Sequence, residues 1–77
     1  MVKEDDLVTI DGIVYRFGPT STMAFNALLG CVEDAKDHEF SARIIARLDD
    51  KKIHLFSKDN HQNASIKFGV LRKALSE

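Results

Sequence analysis

The run Leu7-Val8-Thr9-Ile10-Asp11-Gly12-Ile13-Val14-Tyr15-Arg16-Phe17 constrains the fold more than any other part of the chain. Two segments rich in β-branched and aromatic residues flank Asp-Gly, a dipeptide that accepts the positive φ angles of a type I′ turn. The reading is a β-hairpin. Alternation sets Ile13, Tyr15 and Phe17 on one face, with Val14 and Arg16 on the other.

Gly18-Pro19 ends the second strand, and Thr20, Ser21 and Thr22 supply hydroxyls for a helix N-cap. From Met23 to Lys36 the apolar residues Phe25, Leu28, Leu29, Val32 and Ala35 recur at spacings of three and four, which predicts a helix with one buried stripe. Residues 39–48 alternate as a strand, with Phe40, Ala42, Ile44, Ala46 and Leu48 on one face and only Ile45 out of place. They also fit a helix, because Phe40, Ile44 and Leu48 line up and Ala and Arg are good helix formers. The strand is the preferred reading, since Asp49-Asp50-Lys51-Lys52 resembles a turn leading into Ile53-His54-Leu55-Phe56. Ser57 to Gln62 is a polar loop, and a last helix is expected from Ala64 to Ser76, capped by Asn63. Ile66, Phe68 and Val70 also alternate, which leaves the start of that helix open.

The expected fold is therefore a single small α+β domain over residues 1–77, ββαββα, with helices packed on one face of an antiparallel sheet and residues 1–6 as a polar lead-in. The alternative is a hairpin, two helices, a second hairpin from 53–57 and 64–69, and a short terminal helix, compatible with a winged-helix-like arrangement. A chain of 77 residues buries a modest core, and its one cysteine, Cys31, permits no intrachain disulfide. A lone thiol suits a reducing cytosol, so a cytoplasmic location is expected. Neither a signal peptide nor a membrane span is expected: the first six residues lack an apolar core, and the longest apolar run is Ala27 to Val32. Asn63-Ala64-Ser65 matches a glycosylation sequon, which has no use without a secretory route.

The glycines are scattered, and no C-x-x-C, H-E-x-x-H or G-x-S-x-G motif occurs. No enzymatic activity, cofactor or metal is expected. Cys31 reads as a buried packing residue. His38 and His61 read as solvated loop residues, and His54 as lying on the sheet face opposite Ile53 and Leu55. The hydroxyls of Thr20, Ser21 and Thr22 at a helix start suit a phosphate or carboxylate, although they read first as an ordinary cap.

Charge carries the functional content. Residues 1–39 hold eight carboxylates against three cations, a net −5, whereas residues 40–77 hold eight cations against four carboxylates, a net +4. Surfaces of opposite sign steer partners and can pair with each other. The expected function is a non-enzymatic accessory or regulatory module that binds another protein, or itself as a homodimer. Arg43, Arg47, Lys51, Lys52, Arg72 and Lys73 would form the basic surface, with Asp5, Asp6, Glu33 and Asp34 forming the acidic one. The alternative is a nucleic-acid-binding regulator using the basic C-terminal half.

Overall fold

The computed structural model describes residues 1–38, 41–59 and 63–76. The elements are β1 (Leu7–Ile10), β2 (Ile13–Arg16), α1 (Pro19–Ala35), α2 (Ser41–Asp49), β3 (Lys52–Ser57), β4 (Asn63–Lys67) and α3 (Phe68–Leu75). The strands form one antiparallel sheet in the order β1-β2-β3-β4. The expected α+β class and the layout of two hairpins, each followed by a helical segment packed on the sheet, hold; with two helices between the hairpins, the element order is the one the alternative reading gave.

Ile10 pairs with Ile13 across the first turn, and Asp11 and Gly12 both take positive φ, 51° and 81°. Those angles are what a type I′ turn demands, and they match the right-handed twist of the flanking strands. The lead-in is more than a polar tail. Val2 is buried, and Asn26 clamps its backbone by accepting from Val2 N–H and donating to Val2 C=O, each at 2.9 Å. Asp5 N–H donates to Phe17 C=O at 2.8 Å and Phe17 N–H donates to Asp6 C=O at 3.0 Å, so these residues prolong the hairpin.

α1 starts earlier than the hydroxyl cluster suggests. Gly18 is the N-cap and Pro19 the first helical residue, a position where the missing N–H costs nothing. Ser21 serves as the reciprocal cap: its Oγ accepts from Gly18 N–H at 2.8 Å and donates to Gly18 C=O at 3.2 Å. The core lies between the inner sheet face and α1 with α3, around Phe17, Phe25, Leu55, Phe68 and Leu71. Phe25 meets Phe17 edge-on at 5.5 Å and Phe68 at 5.1 Å, contacts worth about 0.5–1.5 kcal/mol each beyond their buried area.

Two segments differ from expectation. Residues 41–49 are a helix, not a strand. Ile45, the residue that broke the alternation, packs inward with Leu48, while Ala42, Ile44 and Ala46 are exposed. The stripe Ser41, Ile45, Leu48 and Asp49 has helical spacing and seats α2 against α1 and α3. The expected strand residue Phe40 and loop residue His61 lie outside the described residues. Residues 63–67 are a strand, not the first turns of a helix. Ala64 and Ile66 face Leu55 and Ile53 across β3, and pairing beside a buried strand outweighs weak helix propensity. The chain then passes from β4 into α3 without a loop, Lys67 serving as the N-cap.

Candidate functional site

β3 positions the site. Its alternation buries Ile53, Leu55 and Ser57 and turns Lys52, His54 and Phe56 to the open face of the sheet. His54 therefore lies where the sequence suggests. Phe56 does not join the core as most aromatics of this chain do. It is 37% exposed, with Arg16 from the paired position on β2 stacking its guanidinium 5.3 Å from the ring centroid. The His54 ring stands edge-on to Phe56 at 6.0 Å, and its Nδ1 lies 3.5 Å from Ser65 Oγ on β4.

β2 and β3 pair at Tyr15 with Ser57 and Arg16 with Phe56, and no further toward the start of β3, because the chain leaves the sheet at Gly18 to begin α1. Beyond that point a cleft of about 510 Å³ opens between β3 and the first turns of α1. Pro19, Ala24, Ile53 and Phe56 supply its apolar walls, Lys52, His54 and Thr20 its polar rim, and among the described residues no carboxylate lines it. Gly18 lets α1 begin close to the Phe56 ring, since a Cβ at that position would come within 3.1 Å of it.

The structure distributes the residues singled out in the sequence over α1, α2, α3, β3 and the N-terminal segment. Lys51 and Lys52 are exposed where α2 runs into β3, and Lys52 stands opposite Lys67 of β4. Lys67 pairs with Asp50 at 3.5 Å. Arg72 donates to both Asp49 carboxylate oxygens at 3.1 Å, fastening α3 to α2, and is committed to structure. Lys73 lies by the β1–β2 turn, near Ile10 and Asp11. Arg43 and Arg47 are exposed on α2. Of the acidic residues, Asp5 pairs with Arg16 at 3.1 Å and Asp6 accepts Lys3 N–H at 2.9 Å, while Glu33 and Asp34 are exposed near the end of α1.

Of the cap hydroxyls, Ser21 is consumed by Gly18, Thr20 reaches the cleft, and Thr22 Oγ1 is buried without a hydrogen-bond partner among the described residues. Cys31 is exposed on α1, not buried as expected. Among the described residues no three of His, Cys, Asp and Glu are grouped to hold a metal ion, and no helix is long and apolar enough to cross a membrane. Gly18 and Pro19 belong to the segment that the sequence offers as a helix-start anion site, whereas Phe56 and Ala24 escaped sequence reasoning. The period-2 pattern that buries Ile53 and Leu55 also turns Phe56 outward, and that was the available signal.

The chain matches no protein-family model, no curated protein and no solved structure.

Proposed function

We propose that this chain is a non-enzymatic accessory module that binds an acidic segment of another protein in the cleft between α1 and β3. The carrying observation is the lining of that cleft: apolar walls, Lys52 and His54 at the rim, and no carboxylate among the described residues. Apolar clefts of about 300–1,000 Å³ with a few directed polar groups are where small ligands and inserted side chains bind. Lys51 and Lys52 add positive charge at one end, which favours an acidic partner over a basic one.

Nucleic acid is the second reading, prompted by an exposed aromatic among Arg16, His54, Lys52 and Lys67 on an open sheet face. The orientation of Phe56 weighs against it. Arg16 already covers the ring and Gly18 packs against its edge, so Phe56 works as a wall of the cleft and not as a stacking platform.

Selection from a random peptide display library tests the proposal. The expected binders are rich in Asp and Glu, bind more weakly as salt rises, and are lost with Lys52→Glu or the cleft-filling Ala24→Leu but not with Arg43→Glu. Enrichment of basic sequences, or binding that depends on Arg43 and ignores Lys52, would overturn it.

A further inference from the structure

The cleft has a second property besides its lining. In an antiparallel sheet, alternate residues of a strand send their N–H and C=O to opposite sides. Two hydrogen bonds fix the parity of β3. Phe68 N–H donates to Lys51 C=O at 2.7 Å, continuing the β3–β4 register, and Lys58 N–H donates to Val14 C=O at 2.9 Å, continuing the β2–β3 register. Ile53 and Leu55 thus bond toward β4, whereas Lys52, His54 and Phe56 bond toward β2. Phe56 finds Arg16 there. His54 and Lys52 come after β2 has ended, and among the described residues their backbone groups have no partner. The half-open strand looks into the cleft that His54 and Lys52 themselves line.

Resting on the protein-binding reading above, we propose that the partner enters as an extended segment and adds a strand to this open half of β3. Its backbone pairs with Lys52 and His54, taking the place β2 leaves when the chain turns into α1. Alternate side chains of the added strand then point to opposite faces, one set toward the apolar wall of Pro19, Ala24 and Ile53 and the other toward the open face beside Lys52. Charge selects the occupant. Lys52 and Lys67 are directly opposed like charges on one face, a destabilising arrangement; Asp50 pairs with Lys67, and among the described residues no carboxylate pairs with Lys52. A carboxylate on the entering segment supplies the missing counter-charge for Lys52. The outer edge of β1 is also open, but the apolar recess beside β3 gives side chains somewhere to go, so backbone pairing and side-chain burial coincide there.

Amide hydrogen exchange on the full chain, with and without a doubly capped heptapeptide of alternating Glu and Val, tests this. Without peptide, Lys52 and His54 amides exchange fast while Ile53 and Leu55 are protected. At saturation the first two slow by about tenfold or more, as expected when an exposed N–H gains a strand partner. N-methylation of alternate peptide residues weakens binding about threefold to tenfold in one parity and little in the other, since only one edge of the added strand faces β3. Peptide binding with unchanged Lys52 and His54 exchange, or with equal sensitivity in both parities, overturns strand addition and leaves the acidic-partner reading standing. Failure of this peptide to bind at any attainable concentration overturns both, and binding of oligodeoxythymidylate in its place moves the site to nucleic acid.

Discussion

Gly69 lies where α3 begins and α2 ends, and the two helices meet there too closely for a side chain. A Cβ at Gly69 would fall 2.7 Å from Asp49 Cβ and 2.9 Å from its Cγ. Propensity alone makes Gly69→Ala favourable by about 0.8–1 kcal/mol in a helix interior, and by less in the first turn. The steric effect runs the other way and is larger. Asp49 Cβ is fixed to the backbone of α2, so the helix end must move, and overpacking of this kind costs about 1–3 kcal/mol. Movement also opens the Arg72–Asp49 pair, whose members are about a third exposed and which contributes at most about 1 kcal/mol. The net expectation is a loss of about 1–3 kcal/mol. In urea, with a slope of about 1 kcal/mol/M for so small a domain, the unfolding midpoint falls by about 1 M or more. Asp49→Gly removes the opposing atoms, so Gly69→Ala placed on that background should become neutral or stabilising, a coupling of about 1–3 kcal/mol. A Gly69→Ala protein as stable as the parent, or a cycle with no coupling, would refute the close approach of α2 and α3.

Asn26→Ala should cost about 1–3 kcal/mol in urea unfolding, because it strips both hydrogen bonds from the buried Val2 backbone; an unchanged midpoint would mean the N-terminal segment is not docked. Thr22→Val should be neutral or stabilise by up to about 1 kcal/mol, since the hydroxyl it removes is buried without a partner among the described residues; a loss beyond about 1 kcal/mol in the same assay would show that Oγ1 has one. Cys31 should react fully with a thiol-specific chromogenic reagent in the native protein without denaturant, and protection that denaturant relieves would place it in the core after all.

Local chemistry made half of the fold legible. Asp11-Gly12 between two β-branched runs has only one good backbone solution, and the stripe from Phe25 to Ala35 has only one period. The failures came where two periods coexist. At 41–49 the apolar residues satisfy both, and a single residue, Ile45, decides between them according to what lies beside it. At 63–67 the residues have weak preferences, and the neighbouring β3 imposes a strand that ends where Phe68 is drawn into the core. The site was legible only in fragments. Lys52 and Thr20 were singled out for charge and capping, but the cleft that joins them exists because β2 stops short of β3. No residue in either segment announces that mismatch in length.

Charge asymmetry along the chain also means something different once folded. The negative N-terminal half and positive C-terminal half suggest two opposed surfaces, yet the positive half is partly neutralised from within. Asp49 and Asp50 sit beside Arg72 and Lys67, and they tie α2 to α3 and to β4. On the acidic side, Asp5 is held by Arg16. At distances beyond about 8–10 Å in physiological salt the remaining charges act separately, so the sum over each half has little physical meaning. What a partner meets is the local arrangement. Around the cleft that arrangement is Lys52 at one end, the Phe56 ring at the other, and between them strand backbone without a partner among the described residues. The pairs Asp49–Arg72 and Asp50–Lys67 lie where α2 gives way to β3, so two carboxylates of the positive half are engaged close to Lys52 and the open strand.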